Sequence, residues 1–195
     1  EISFDQIELI TRRSKRRVSI NEIKDLPNSL KKKILLDLSK ITSKKKNFAN
    51  FEFNKIPNIL GVLNLTPDSF SDGGKFNITD KGVKQAIKLF NDGANLIDVG
   101  GESTRPRSKP IKENLEWKRI NKILKLLKKK VPMSLDTRKS SIMKKGINIG
   151  VKLINDVSSL EYDFETINVL NKYKTPFVLQ HSQGDPENMQ NKPTY

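Results

Sequence analysis

The stretch 132–157 reads PMSLDTRKSSIMKKGINIGVKLINDV and contains the clearest pattern of secondary structure in the chain. It opens with a short apolar run that ends at Asp136 and closes with another that ends at Asp156. Between the two runs, Ile142, Met143 and Ile147 recur at helical spacing before Gly150. A strand, a helix and a second strand in this order predict a βαβ unit with two parallel strands.

The same alternation extends in both directions along the chain. Continuous apolar runs are typical of strands covered on both faces. They predict parallel strands at Asn58–Asn64, Asn95–Gly100, Pro132–Asp136, Lys152–Asp156 and Pro176–Gln180. The other helical patterns carry Val83, Ala86, Ile87 and Phe90 (after a cap at Thr79 or Asp80), then Leu115, Ile120, Ile123, Leu124 and Leu127, and finally Phe164, Ile167 and Leu170. The sequence therefore predicts an α/β fold built on a parallel sheet.

Polar residues stand where each predicted strand ends. They are Asn64, Asp98, Asp136, Asn155 with Asp156, and Gln180 with His181. Any one of these could simply cap the next helix, but five such ends in succession are hard to explain by capping. Because α/β folds place ligands at the carboxyl ends of parallel strands, the pattern predicts a binding site at that edge.

Composition excludes several classes of protein. The 195 residues include 37 Lys and Arg, 22 Asp and Glu, one His and no Cys, for a formal net charge of +15. The absence of Cys excludes disulfide scaffolds and thiolate metal sites, and no apolar run approaches the roughly 20 residues of a membrane span. The basic runs lie mostly before residue 50, with few aromatic residues among them and no nucleic-acid-binding motif. We therefore interpret them as solvated surface and predict no nucleic-acid or membrane partner.

Residues 1–55 differ from the rest and are predicted to be a basic leader or an interdomain linker, followed by the barrel segment 56–195. Within the leader, Phe4, Ile7 and Ile10 fit a short amphipathic helical turn. Asn28 or Ser29 could cap a helix that carries Leu30, Ile34, Leu35 and Leu38. The polar stretch 42–54 is predicted to be irregular.

Two long motifs follow the first two predicted strands. Residues 61–74 read GVLNLTPDSFSDGG, a polar, glycine-ended loop of the kind that often covers a ligand. Residues 98–106 read DVGGESTRP, in which the diglycine allows close backbone approach and Arg105 offers a bidentate fork for an anion.

Together with Asp136 and Asn155, these motifs closely resemble those of the dihydropteroate synthase family, over roughly residues 57–190. The resemblance implies a (β/α)8 TIM barrel, of which this chain holds about the first five strands. It also implies condensation of a dihydropterin methyl diphosphate with 4-aminobenzoate in folate biosynthesis, with Mg²⁺, in a protein that is a homodimer when full length. In some organisms the family's domain is fused behind other folate-pathway domains, and either a cytoplasmic or a mitochondrial location fits.

The resemblance also implies roles for individual residues. Asn64 would bind Mg²⁺ and the diphosphate, and Asp136 and Asn155 would bind the amidine edge of the pterin. The aminobenzoate pocket would be formed by Phe70, Thr104 and Pro106. The two loops that close over the reacting centre would act through Asp68, Asp72 and Arg105.

The sequence departs from the family at several places. Gln180 and Arg107 stand where Met and Gly are common, and the family's later strands, with a Ser-Arg-Lys-Ser run, have no counterpart. The run 137–140 follows Asp136 directly and is predicted to open a helix, not to replace that strand. An unclosed barrel leaves a fifth strand as an edge, so we expect the chain alone to be inactive and poorly stable.

Three alternatives stay open on the sequence. A methyltetrahydrofolate-type methyltransferase barrel would share the pterin-holding Asp and Asn, although the loop 66–74 argues against it. A non-catalytic half barrel that assembles with a complementary chain would keep the same residues. A basic nucleic-acid binder is the third alternative, and it predicts salt-sensitive binding that depends on residues 1–50.

Overall fold

The computed structural model describes residues 4–53, 57–66, 78–105 and 108–180. The chain forms two compact units, with the boundary after Lys46. Among the described residues, every helix is too short or too polar to cross a membrane.

The N-terminal unit begins with an antiparallel hairpin. Strand β1 (Gln6–Ile10) pairs with β2 (Lys15–Ser19), and a short 3-10 helix (Ile20–Asp25) and helix α1 (Asn28–Thr42) follow. Val18, Ile23 and Ile34, one from each of β2, the 3-10 helix and α1, are buried. The 3-10 helix contacts both β2 and α1, so these three residues come from elements that pack together.

The structure of the N-terminal unit corrects two sequence-based expectations. The helical turn predicted around Ile7 and Ile10 is wrong, because both residues lie in β1, where Ile10 is 66% exposed. The predicted cap is also wrong, since Pro27 occupies the N-cap position of α1 and makes no side-chain cap. The predicted irregular stretch is confirmed for residues 43–53, which hold only an isolated bridge between Phe48 and Phe51. That residues 1–55 act as a leader or linker stays a prediction.

The C-terminal unit is a five-stranded parallel sheet with a helix after each of its first four strands. The strands are β3 (Leu60–Asn64), β4 (Leu96–Gly100), β5 (Met133–Asp136), β6 (Leu153–Asp156) and β7 (Phe177–Leu179). The helices are α2 (Ile78–Asn91), α3 (Glu113–Leu127), α4 (Ser140–Ile149) and α5 (Thr166–Tyr173). All five predicted strands and all four predicted helices of this unit are confirmed.

The order of the strands distinguishes a barrel from an open doubly wound sheet. In the sheet the order is β3-β4-β5-β6-β7, the same as along the chain, with no reversal. Each helix from α2 to α5 also contacts the next one, so the helices lie side by side along the sheet. A doubly wound sheet reverses its strand order and has helices on both faces, whereas a (β/α)8 barrel does neither. This unit is the first five strands of a TIM barrel.

The apolar core lies between the sheet and these helices. Leu63, Ile97, Val99, Leu135 and Ile154 pack there with Ala86, Ile120, Ile123, Leu124, Ile142, Met143 and Leu170. Gly146 permits close approach of α4 to the sheet, because a Cβ there would lie 2.4 Å from Leu135 Cδ2. Three residues predicted on buried helix faces are instead exposed, namely Leu115, Ile167 and Phe164, and Phe164 precedes α5.

Candidate active site at the carboxyl ends of the strands

The strand register brings three predicted site residues and Gly100 into one row. Asn64 on β3 pairs with Gly100 on β4, Gly100 pairs with Asp136 on β5, and Asp136 pairs with Asn155 on β6. Register partners on neighbouring strands share a face of the sheet. Asn64, Asp136 and Asn155 therefore project to the same side, at the carboxyl edge of the sheet.

Gly100 leaves an open position in the middle of the row. A Cβ built on Gly100 would lie 3.2 Å from Asn64 Oδ1 and 3.4 Å from Asp136 Oδ2. The side chains of Asn64 and Asp136 therefore lie on either side of the space above Gly100. This fits the close approach that the sequence predicted for the diglycine. Any larger residue here would enter the space that an amide oxygen and a carboxylate oxygen share.

Asp98 lies two residues before Gly100 on β4, so the two residues share a face of the sheet. Its side chain is 3% exposed. Its Oδ2 accepts a hydrogen bond of 2.9 Å from Asn155 Nδ2, so a side chain on β4 contacts one on β6 across β5. The sequence placed Asp98 among the polar strand ends but gave it no role. The contact joins it to the row.

Buried negative charge dominates the electrostatics of this edge. Burial raises the pKa of Asp136 to about 8, and repulsion by Asp98, Glu116, Asp156 and Glu102 adds to the effect. Burial also raises the pKa of Asp98 and of Asp156. The unliganded site therefore holds a proton on Asp136 near neutral pH. A ligand that brings N–H donors or positive charge to this carboxyl would favour its ionised form.

A second cluster of charges lies beside the row and is fully buried. Lys139 Nζ donates to Glu102 Oε1 at 2.9 Å and to Glu116 Oε2 at 2.6 Å. Arg138 Nε donates to Glu102 Oε2 at 2.9 Å, and Thr137 Oγ1 donates to Glu116 Oε1 at 2.5 Å. The four charged side chains are each 5% exposed or less. We call these five residues the ion cluster.

The ion cluster fixes the loop that follows β4. Glu102 Oε1 accepts a hydrogen bond of 2.7 Å from Ile111 N, which ties the end of the loop to its beginning. Ser108 closes the loop further, through Oγ to Ser103 O at 2.7 Å and through N to Arg105 O at 3.0 Å. Because Lys139 and Arg138 follow Asp136 in the chain, their contacts with Glu102 join this loop to the end of β5.

The sequence-predicted site residues are only partly within the described ranges. Asn64, Asp136 and Asn155 are brought together in the row. Thr104 and Arg105 lie in the loop after β4 at the same end of the sheet, with Arg105 exposed. The remaining predicted residues, Asp68, Phe70, Asp72 and Pro106, lie outside the described residues, as does His181.

The ion cluster was missed, although one signal for it was present. Glu116 falls on the apolar face of α3 with Ile120, Ile123 and Leu127, where a charge needs a buried partner. Its partners come from the run 137–140, which was predicted to open a helix. That prediction is confirmed, since α4 begins at Ser140, but Thr137, Arg138 and Lys139 also supply three of the five residues of the ion cluster.

Comparison with known families agrees with this geometry. The profile of the family described as "Pterin binding enzyme" matches residues 60–195. The chain therefore belongs to the pterin-binding enzyme family. Within that family, the dihydropteroate synthase of Synechocystis is 35% identical over 147 residues, which are 74% of this chain and 51% of the relative. The dihydropteroate synthase of Clostridium beijerinckii is 43% identical over 131 residues, which are 66% of this chain and 49% of the relative.

Fused relatives and solved structures of the family agree with these matches. A folate synthesis bifunctional protein of Arabidopsis thaliana is 37% identical over 73% of this chain and 30% of its own length. The crystal structure of dihydropteroate synthase from Clostridium difficile in the presence of pteroic acid superposes with a TM-score of 0.65 at 36% identity, covering 71% of this chain and 52% of that one. The Yersinia pestis enzyme with a sulfonamide drug gives 0.65 at 40% identity, covering 71% and 51%. The chain spans about half the length of the Synechocystis and Clostridium beijerinckii dihydropteroate synthases.

Proposed function

We propose that this chain is the N-terminal part of the catalytic barrel of a dihydropteroate synthase. The observation that supports this most directly is the row of Asn64, Gly100, Asp136 and Asn155 at the carboxyl edge of the sheet. The relatives that share this segment are dihydropteroate synthases, at 35% and 43% identity. The proposed substrates are a dihydropterin methyl diphosphate and 4-aminobenzoate, and the proposed products are dihydropteroate and diphosphate.

In this reaction the amine nitrogen of the aminobenzoate forms a C–N bond to the pterin's methylene carbon. The C–O bond to the diphosphate breaks, its electron pair leaves with the diphosphate, and the amine loses a proton. The methylene carbon becomes cationic as the bond breaks, so a carboxylate held near the pterin ring stabilises the transition state. We assign this role, together with binding of the amidine edge, to Asp136, with Asn155 as its neighbouring amide.

The loops supply the other proposed contacts. Arg105 offers a guanidinium fork for the diphosphate, and it stands in a loop whose ends are tied together by Glu102. Thr104 in the same loop, together with Phe70 and Pro106, would form the aminobenzoate pocket. Asp68 and Asp72 would act in the loop after β3. These six assignments rest on the matched motifs.

The row also has the donors that Mg²⁺ prefers. Asn64 Oδ1 and Asp136 Oδ2 both face the open position at Gly100. Mg²⁺ binds few protein oxygens and takes its remaining ligands from water and substrate phosphates. Asn64 would hold the ion, which supplies charge neutralisation for the departing diphosphate.

The test of this proposal is formation of dihydropteroate from the two substrates by the protein expressed from its full reading frame. We expect turnover that requires Mg²⁺ and stops on addition of EDTA. Pteroic acid should bind to the protein, and methyltetrahydrofolate should not displace bound pteroic acid. Binding of methyltetrahydrofolate without condensation would overturn the proposal in favour of a methyltransferase barrel. Activity that appears only after a second, complementary chain is added would instead support an assembled half barrel.

Substituting the two adjacent glycines should separate binding from folding. In Gly100→Ala the new methyl would lie 3.2 Å from Asn64 Oδ1, in the space proposed for ligand, so pteroic acid affinity should fall at least about tenfold with little loss of stability. In Gly101→Ala the methyl would lie 2.8 Å from Ile120 Cγ2 and 3.1 Å from Glu116 O. That overpacking of α3 should cost about 1–3 kcal/mol of stability. Isothermal titration and urea denaturation of both variants measure the contrast, and equal stability losses would contradict it.

A further inference from the structure

Asp98 is a buried carboxylate to which the proposed reaction assigns no role. It is 3% exposed, and within the described part of the chain its Oδ1 has no hydrogen-bond partner. Burying a carboxyl group with an unpartnered oxygen costs free energy, and a leucine of similar size would not incur that cost. Stability of the sheet alone therefore does not explain an aspartate at this position.

The hydrogen bond between Asp98 and Asn155 has a direct consequence for the orientation of the Asn155 amide. An ionised carboxylate can only accept, so it requires the Nδ2 side of the Asn155 amide to face it. The 2.9 Å contact between Asn155 Nδ2 and Asp98 Oδ2 has this arrangement. In the described residues Asn155 Oδ1 accepts no hydrogen bond, which leaves it available beside Asp136, its register partner on β5.

Without such a partner, the two orientations of an asparagine amide differ little in shape. A ligand would then meet either a donor or an acceptor at the same point. Fixing the amide before the ligand arrives removes that ambiguity and the entropy cost of choosing one orientation. Asp98 lies two residues before Gly100 on β4. It can therefore orient the Asn155 amide without occupying the open position at Gly100.

We propose that Asp98 is a positioning residue that holds the Asn155 amide with its oxygen toward the ligand. The site then presents two adjacent acceptors, Asn155 Oδ1 and the Asp136 carboxylate, and selects ligands with adjacent N–H donors along one edge. This inference rests on the proposed pterin-binding function and specifies how Asn155 takes part in it.

A double-mutant cycle on pteroic acid binding tests the inference. We expect Asp98→Leu to weaken binding about tenfold and Asn155→Ala to weaken it at least as much. Because Asp98 acts through Asn155, the double variant should bind within about twofold of Asn155→Ala alone. Asp98→Asn keeps an oxygen that can accept from Asn155 Nδ2, so it should restore affinity to within about threefold of the wild type. Asp163→Asn, a change at a carboxyl outside the row whose Oδ2 accepts a hydrogen bond from Ser140 N, is the control and should leave affinity unchanged.

Other results would overturn the inference. Multiplicative losses in the double variant would show that Asp98 acts independently of Asn155, and equal losses in Asp98→Asn and Asp98→Leu would exclude orientation by an acceptor. A folded wild-type protein that binds no pteroic acid would contradict the proposed function itself, which is a different outcome.

A second measurement does not depend on how well Asp98→Leu folds. The side-chain amide signals of Asn155, assigned by their loss in Asn155→Ala, should show one proton protected from exchange in the unliganded wild type. Signals typical of a freely exchanging surface asparagine would overturn the inference.

Discussion

Replacing Lys139 with methionine is expected to lower the free energy of unfolding of the barrel unit by about 3–5 kcal/mol at pH 7. The ammonium group of Lys139 lies 2.9 Å from Glu102 Oε1 and 2.6 Å from Glu116 Oε2, and all three side chains are 5% exposed or less. Methionine keeps most of the volume but leaves two buried carboxylates without their shared cation. Arg138 still faces Glu102, so most of the loss should come from Glu116.

Lys88→Met provides the matched control. Lys88 also forms a close ion pair, with Asp92 at 2.5 Å, but its side chain is 67% exposed. Exposed pairs contribute about 0–1 kcal/mol, so this variant should be almost as stable as the wild type. The chain's single tryptophan, Trp117, packs against the core of the barrel unit, and its fluorescence during urea denaturation reports on that unit. Equal losses in the two variants would contradict the prediction.

The destabilisation should also depend on pH. Burial alone would raise the pKa of Glu102, but hydrogen bonds from Ile111 N and Lys139, together with the charges around it, hold it below its usual value. In the wild type this carboxyl therefore contributes stability that is present at neutral pH and is lost as pH falls through its lowered pKa. Without Lys139 the Glu102 carboxyl can be protonated more easily, so the stability difference between Lys139→Met and the wild type should narrow toward pH 4. Adding Glu116→Gln to Lys139→Met should recover part of the loss at pH 7.

The sheet could be predicted because its strands are mostly apolar runs, and the central strands β4, β5 and β6 are buried on both faces. Runs such as Leu60–Asn64 are apolar up to a polar last residue, and a helical pattern follows. Since parallel strands place their carboxyl ends at one edge, the row of Asn64, Asp136 and Asn155 followed from the order of these segments alone. The structure adds the register that aligns them and the open position at Gly100.

The N-terminal hairpin could not be predicted in this way, because its apolar pattern is too sparse. Strand β2 reads Lys-Arg-Arg-Val-Ser, and Val18 is its only apolar residue. A basic run of this kind is more typical of a solvated segment than of a strand. The pairing with β1 depends on backbone hydrogen bonds and on the tight turn in which Thr11 N donates to Ser14 O, and neither depends on hydrophobic periodicity.

The buried polar contacts were unpredictable for a different reason. Lys139 and Glu102 are 37 residues apart in sequence, and Asp98 and Asn155 are 57 apart. Each residue by itself has an ordinary explanation as a helix cap or a surface charge. Only the register of three strands and the path of the loop after β4 show which charges face each other. Glu116 on an apolar helix face was the single local sign.

Replacing Asp136 with asparagine is expected to stabilise the fold at pH 8 and to weaken pterin binding at least about a hundredfold. Burial and neighbouring carboxylates raise the pKa of Asp136 from 3.8 to about 8. The folded chain therefore binds this proton more tightly than the unfolded chain, and stability falls as pH rises between these two values. One pKa unit corresponds to about 1.4 kcal/mol, so the full shift sets an upper limit of about 6 kcal/mol. Because the repulsion is shared with Asp98, we expect a gain of about 2 kcal/mol at pH 8 and almost none at pH 4.

Asp163→Asn is the control of opposite sign. Burial alone would raise the pKa of Asp163, but hydrogen bonds from Ser140 and Glu165 N lower it. Its stability contribution is therefore present at neutral pH and lost on acidification, so Asp163→Asn should destabilise the fold at pH 7. Urea denaturation at pH 4, 6 and 8 compares both variants with the wild type. A stability of Asp136→Asn that falls with pH as steeply as that of the wild type would contradict the assigned titration.

The affinity for ligand should also depend on the titration of Asp136. A pterin that donates N–H groups to Asp136 needs its ionised form, so binding below pH 8 should release a proton. Pteroic acid affinity of the wild type should therefore rise with pH and level off near pH 8. Titration calorimetry in two buffers of different ionisation enthalpy counts the released protons directly. Asp136→Asn should lose at least about a hundredfold in affinity, because an amide cannot accept two donors at one edge as a carboxylate does. A residue whose replacement raises stability and strongly weakens binding serves ligand binding at a cost to the stability of the fold.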